Sequence, residues 1–205
     1  MDKKVMYNIS YGLYLLSACE DGKDNACVIN TAIQVTTKPN RITITVNKEN
    51  LTHDMVMRTG LFNLSFLTTE TPFEVIQHFG MQSGRDAAKF GTPNMLPRSE
   101  NNLCYIPTYT NAFLSGKVIS TIDLGTHTMF LADVTDGEVL SKEPSLTYAD
   151  YQARIKPRPA KSGDAPKKGF RCKVCGYEYE GELLPEDFIC PLCKHGVDDF
   201  EPIQA

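Results

Sequence analysis

The sequence lacks several signatures that would settle its class, and each absence excludes something. No run of about 18 or more apolar residues occurs in its 205 residues, so no transmembrane helix is expected. The opening MDKKVMYNISYGLYLLSACEDGKDNA has an apolar stretch too short and too broken by polar residues for a signal peptide, which leads to the expectation of a cytoplasmic chain with no membrane partner. No Gly-x-Gly-x-x-Gly motif is present, which argues against a Rossmann site, and no Gly-x-x-x-x-Gly-Lys-Ser/Thr loop is present either. No internal repeat has a fixed period. Positive charge is not in excess: 21 Lys/Arg against 25 Asp/Glu give a net charge of −4, so nucleic-acid binding has no electrostatic support. Asp and Glu are spread out, and no carboxylate pair suggests acid–base catalysis. Charged residues make up 22% and apolar residues 41%, ordinary values that exclude disorder throughout. The length suits one domain, or one plus a small module.

What is present in quantity is cysteine, seven residues in all. In a reducing compartment these are expected to be metal ligands, core residues or redox groups rather than disulfides. Four of them, Cys172, Cys175, Cys190 and Cys193, lie close together in the last part of the chain. Cys19, Cys27 and Cys104 are scattered and read as structural thiols.

The boundary between the two parts shows in composition. Residues 154–168 read RIKPRPAKSGDAPKK, with six Lys/Arg, one Asp and three Pro. That is a linker, extended where proline dominates and flexible around Ser162-Gly163. The chain therefore divides into residues 1–151, a basic Pro-rich linker 152–168, and a module 169–205. The linker is net positive, whereas both flanking parts are net negative.

In the module, two Cys-x-x-Cys turns supply four thiolates for one tetrahedral metal. A segment this short buries little core, so a metal staple is physically needed. Gly176 allows the left-handed backbone that turns amides toward the sulfurs; Gly196 follows the second pair. Spacing alone leaves zinc and iron open, and an aromatic-rich shell of Phe170, Tyr177, Tyr179, Phe188 and Phe200 favours iron.

In residues 1–151, period-2 patterns dominate. RITITVN (41–47) and LFNLSFL (61–67) alternate. Stretches 112–122 and 127–135, joined by Asp123–Thr126, read as paired strands. Thr71-Pro72-Phe73-Glu74 reads as a capping box opening a helix that Gly80 stops. Thr52 is a candidate cap for a second helix ending at Gly60. Many strands and few helices predict a mainly β fold, a barrel. Polar clusters sit at strand ends, and hydroxyls, amides, Lys48 and Arg85 there can bind a phosphate. On the residues alone, turn and cap chemistry explains these clusters equally. Met6, Met55, Met57, Met81, Met95 and Met129 read as fillers of core or interface gaps.

Two resemblances bear on function. The blocks ISYGLYLLSA, NTAIQVTTKPNRITITVNKENLTHDMV, HFGMQSGRDAAKF and DLGTHTMFLADVTDGEVL resemble the FMN-binding split-barrel, flavin reductase-like family over nearly all of residues 1–150. The wording CKVCGYEYEG…ICPLC resembles the short rubredoxin modules of rubrerythrin-type proteins over residues 169–203. Together the chain resembles the high-molecular-weight rubredoxins.

These resemblances imply a mainly β fold, an FMN-binding split β-barrel followed by a rubredoxin-like metal-binding module. They imply FMN, one Fe held by Cys172, Cys175, Cys190 and Cys193 with zinc as the alternative, NAD(P)H as electron donor, a homodimer, and a flavodiiron-type oxygen or nitric oxide reductase as redox partner. By position they assign Asn30, Thr31, Gln34, Val35 and Thr36 to the flavin and its side chain. They assign Asn47, Lys48, Asn50, Thr52 and His53 to the phosphate, ribityl chain or ring edge. Ser83, Gly84, Arg85 and Lys89 add phosphate or nicotinamide contacts, and His127 stands where a nicotinamide approaches. The implied function is electron transfer from NAD(P)H through FMN to iron and on to the acceptor. Two rivals are a flavin reductase that releases reduced flavin and carries a structural zinc, and a non-enzymatic carrier loaded by a separate reductase.

Overall fold

A computed structural model describes residues 2–91, 96–157, 169–191 and 195–203. Met95, Cys193 and most of the linker lie outside the described residues.

Seven strands form one antiparallel sheet: β1 (Tyr14–Glu20), β2 (Lys23–Ile29), β3 (Ala32–Thr37), β4 (Asn40–Asn47), β5 (Leu61–Leu67), β6 (Thr110–Asp123) and β7 (His127–Val139), in the order β2-β1-β5-β6-β7-β4-β3. The edge strands β2 and β3 are consecutive in sequence, separated only by Asn30 and Thr31. Seven strands laid flat at about 4.8 Å spacing put their edges roughly 29 Å apart. A two-residue connection bridges at most about 11 Å. The sheet must therefore roll until its edges nearly meet, the split barrel expected from the sequence.

The alternating strands fill the roll. Ile42, Ile44 and Val46 of β4 point inward, together with Leu16 and Ala18 of β1, Phe62 and Leu64 of β5 and Phe130 and Ala132 of β7. Helix α1 (Leu51–Thr59) contributes Met55 and Val56 to this core and stops at Gly60, whose φ of 68° suits glycine. A second apolar cluster joins Leu13, Leu15, Leu67, Ile76, Ile106, Leu146 and Tyr151, covered by helix α2 (Phe73–Gly80) and by a short C-terminal helix, α3 (Tyr148–Asp150), that runs on into a π turn over Tyr151–Ile155.

Several expectations need correction. The Thr71 capping box does not form: the Thr71 hydroxyl donates to Thr68 O at 2.7 Å, and Pro72 occupies the N-cap position. Thr52 lies inside α1, one residue beyond its start, and Asn50 is the N-cap. Both faces of the alternating strand β5 are covered. Asn63 and Ser65 are fully buried beneath the 99–106 segment. Asn63 Nδ2 donates to Ser99 Oγ at 2.7 Å and to Leu103 O at 3.0 Å, while its Oδ1 accepts from Ser115 and Asn101. Ser65 Oγ accepts from Ile106 N–H. The polar side of this strand is a buried hydrogen-bond network.

Of the three scattered cysteines, Cys27 and Cys104 sit in the interior, and Cys19 is half-buried. Cys27 and Cys104 are buried, and burial above all pushes their pKa values up, to about 11 and about 12. Both stay protonated at neutral pH, which suits packing rather than nucleophilic chemistry.

The C-terminal module is a three-stranded sheet, β8 (Gly169–Cys172), β9 (Glu178–Glu180) and β10 (Phe200–Pro202), in the order β10-β8-β9. Phe188 packs against Tyr179 and Phe200 with ring centroids 4.7 and 5.5 Å apart, forming the aromatic shell read from the sequence.

Close packing of the barrel supplies a prediction. Gly116 sits at a register shift of β6, and a Cβ there would fall 2.2 Å from Cζ of the fully buried Phe62. Gly116→Ala is expected to cost about 1–3 kcal/mol, read as a fall of several degrees in the thermal midpoint of the full chain. An unchanged midpoint would contradict this packing.

Candidate cofactor site and metal centre

The first site forms where β4 ends. Asn47 pairs in register with His127 of β7, and Lys48 N–H donates to Thr126 O at 3.0 Å. The 47–50 turn is thereby fastened to the tip of the β6–β7 hairpin. The Lys48 ammonium donates to Asp123 Oδ1 at 2.6 Å, and that oxygen also accepts from Gly125 N–H at 2.8 Å. Lys48 first, then the amide, hold the Asp123 carboxyl below the usual carboxylate range. His127 is half-buried, with Nδ1 2.9 Å from Thr126 Oγ1.

Helix α1 begins at this point. The Asn50 side chain makes no capping hydrogen bond, so the first-turn amides are not taken by it. Helix N-termini of this kind attract anions. Behind them, Asn25 Nδ2 donates to Thr52 Oγ1 at 2.8 Å. His53 is buried, with Nδ1 2.9 Å from Asp54 Oδ1 and Nε2 2.8 Å from Thr128 Oγ1. An ionised Asp54 only accepts, so Nδ1 carries the proton, and in the neutral ring Nε2 accepts from the Thr128 hydroxyl. Arg85 Nη2 donates to Asp54 Oδ2 at 2.6 Å. Arg85 first, then His53, lower the Asp54 pKa. Arg85 is held in turn by a bond from its N–H to Ser83 Oγ, and Gly84 lies flat on Asn25, where a Cβ would come within 2.2 Å of Oδ1.

Asn47, Lys48, Asn50, Thr52, His53, Ser83, Gly84, Arg85 and His127 thus gather at one end of the barrel. Thr31 joins them through its hydroxyl, which donates to Thr45 O at 3.0 Å, and Asn30 precedes it. Gln34, Val35 and Thr36 do not. They run down the β3 edge, with Thr36 opposite Arg41, six residues back along β4 from Asn47 and so about 20 Å away. In the single chain Gln34 and Thr36 bond to Asn40 and Pro39 of the β3–β4 turn. Lys89 is buried and turned inward: its ammonium donates to His78 O and Gln82 O, each at 2.5 Å.

Sequence reasoning missed Asp54, Asn25, Asp123 and Thr128, which orient the residues it chose. Asp54 carried a faint signal, an acidic residue in the first turn of a helix directly after a histidine. Asn25 carried none, because β2 meets α1 only through the roll of the sheet.

The second site is the thiol cluster. Cys172, Cys175 and Cys190 are buried at 0, 4 and 0% exposure, and their sulfurs lie within 4.8 Å of one another, with Cys175 Sγ 3.5 Å from Cys190 Sγ. A disulfide would need about 2.05 Å. A tetrahedron with metal–sulfur bonds of about 2.3 Å separates its sulfurs by about 3.8 Å, so the donor set fits a metal. Gly176, at φ 80°, forms the turn after the first pair, and its N–H donates to Cys172 O at 2.9 Å. Gly196 is extended at φ −82° and does not repeat that turn. Cys190 N–H donates to His195 O at 2.8 Å, fixing the second arm.

Comparison with known proteins matches both parts of the chain to known families. The model of the "Flavin reductase like domain" family matches residues 6–156, and that of the "Rubrerythrin, rubredoxin-like domain" family matches residues 170–201. A high molecular weight rubredoxin of Moorella thermoacetica is 34% identical over 99% of this chain and 100% of its own length. A ferric-chelate reductase (NAD(P)H) of Archaeoglobus fulgidus is 37% identical over 74% of this chain and 89% of its own. Among solved structures, an FMN-binding protein from Thermus thermophilus with bound 1-cyclohex-2-enone shares the fold, with a TM-score of 0.63 at 16% identity over 78% of this chain and 92% of its own. A rolled seven-stranded sheet followed by a thiol-bearing module is what these relatives lead one to expect: the chain belongs to the flavin reductase-like family, in the end-to-end form of the high molecular weight rubredoxins.

Proposed function

We propose that the chain is an electron-transfer flavo-rubredoxin, an NAD(P)H-dependent FMN oxidoreductase that passes electrons to its own Fe(Cys)4 centre and on to an external protein. The observation that carries this reading is the presence on one chain of an anion-ready polar cluster at the barrel end and a buried multi-thiol metal site. A bound flavin supplies the conversion between hydride, which delivers two electrons together, and a four-thiolate iron, which accepts one. The Archaeoglobus relative named as an NAD(P)H reductase and the Thermus FMN-binding protein support the donor and the flavin.

The residues of the chain have separate tasks in this reading. The α1 N-terminus, Asn50 and Lys48 hold the phosphate. Thr52 and His53, buried and fixed by Asn25, Asp54 and Thr128, back the first turn of α1 and hold it in place beside the flavin. Arg85 balances the Asp54 carboxylate and adds positive charge toward the phosphate or the nicotinamide. His127, opposite Asn47, orients the incoming nicotinamide. Cys172, Cys175 and Cys190, with Cys193 as the fourth ligand, hold iron; four thiolates leave it no open position for substrate. Exposed Val174 and Ile189 beside the ligands offer an apolar contact for the acceptor, which we assign to the flavodiiron-type reductases implied by the sequence resemblance.

We also propose a homodimer. The β3 edge is unpaired and carries Ile33 and Val35 at 65 and 45% exposure, a liability that a second copy covers. Pairing there brings Gln34, Val35 and Thr36 into a shared site. An Ile33→Lys/Val35→Lys variant is expected to run as a monomer in light-scattering chromatography and to retain flavin poorly; a dimer unchanged in mass and flavin content would remove this proposal.

Anaerobic stopped-flow mixing with NADH or NADPH tests the main reading. The flavin bands are expected to bleach first and the iron–thiolate colour to follow. Bleaching with the iron colour intact would eliminate the internal relay, and zinc in place of iron would leave a flavin reductase with a structural staple.

A further inference from the structure

The thiol module touches the barrel domain at Met81, a contact that the reading above does not use. Met81, the residue that ends α2, packs against the cluster of Cys172, Cys175 and Cys190. Four residues on, Arg85 reaches the other way, to Asp54 and through it to His53. Four residues of chain span at most about 14 Å. A single short segment therefore touches the thiols at one end and the cofactor cluster at the other.

That segment is firmly held. Met81 N–H donates to Gln77 O at 3.1 Å, and Asp86 and Ala87 N–H both donate to Ser83 O. Buried Lys89 grips Gln82 O, so the same ammonium ties the segment to the end of α2. Alongside the Met81 contact, the seam is open. A cleft of about 360 Å³ separates Gln152, Lys156 and Pro157 from Arg171, Cys175 and Gly176. An apolar seat beside an open cleft is a small contact that can be made and broken, and relative motion is the default across such interfaces.

We propose that Met81–Arg85 is the hand-off contact of the chain: the metal module seats on Met81, and the Arg85–Asp54–His53 chain fixes that seat relative to the flavin. This rests on the relay proposed above. At each seating one electron would pass from the reduced flavin to ferric iron, which becomes ferrous; over two seatings the flavin returns to its oxidised form and its N5 proton goes to solvent. Met81 is a positioning residue, since it holds the module rather than ligating the metal.

The test uses the full, flavin- and iron-loaded chain with Met81→Asp and Met81→Leu. Amide hydrogen exchange is read at 81–87 and 169–176. Iron reduction is followed by stopped flow after the flavin has been reduced. Loss of an apolar seat worth one decade in the docking equilibrium gives about tenfold faster exchange in both segments and about tenfold slower iron reduction in Met81→Asp. Met81→Leu is expected to restore both. The iron–thiolate spectrum and the rate of flavin bleaching stay as in the parent, which shows that both sites are intact. Exchange and iron reduction at parental rates in Met81→Asp would overturn the proposal. A parent chain that bleaches its flavin and never its iron would instead overturn the relay, and the exchange data would then report only a structural contact.

Discussion

The connection between β2 and β3 is two residues long, and these strands are opposite edges of a seven-stranded sheet. Almost everything else about the large domain depends on that constraint. The roll it forces turns the alternating residues of β4 and β7 inward. It also brings the end of β4, the start of α1 and the β6–β7 tip to one rim. Asn25 of β2 reaches Thr52 of α1 only because the edge has come round. The polar cluster at the rim is a consequence of closure, built from strand ends and held by polar partners distant in sequence.

The small module meets the opposite constraint. It has too little apolar mass to roll around a core, so its thiols converge instead, at distances suited to a metal and too long for a disulfide. Its sheet hydrogen-bonds the first arm of the cluster, and the His195 carbonyl fixes the second. The two parts call for different cofactors for the same reason that they fold differently. The barrel has walls and a rim to hold an organic group, whereas the module has only ligands.

How far the sequence revealed this varied by interaction range. The β4 alternation, the β6–β7 hairpin, the Gly60 stop and the Cys172–Cys175 pair are local patterns, and the structure contains them. Thr71-Pro72-Phe73-Glu74 is also local, but the Thr71 hydroxyl found backbone carbonyls across a loop, and tertiary context overrode the cap. The β1–β2 hairpin turns at Asp21-Gly22, both at positive φ, a local signal of the same kind. The burial of Asn63 is not a local pattern, because alternation says nothing about a loop folding over the outer face. Among site residues, those on the 47–53 turn were legible as a group. Asp54, Asn25 and Thr128 were not, since their importance lies in which side chain they touch. Lys89, assigned by position from the resemblance, has a buried ammonium that serves the end of α2.

The central claim is that one chain holds a two-electron centre and a one-electron centre in communication. A coulometric reductive titration of the purified protein, followed by its absorbance, tests this most directly. The account predicts that each chain takes up two electrons in flavin bands and one more in an iron–thiolate band. Uptake of two electrons alone, with one zinc per chain, would contradict it.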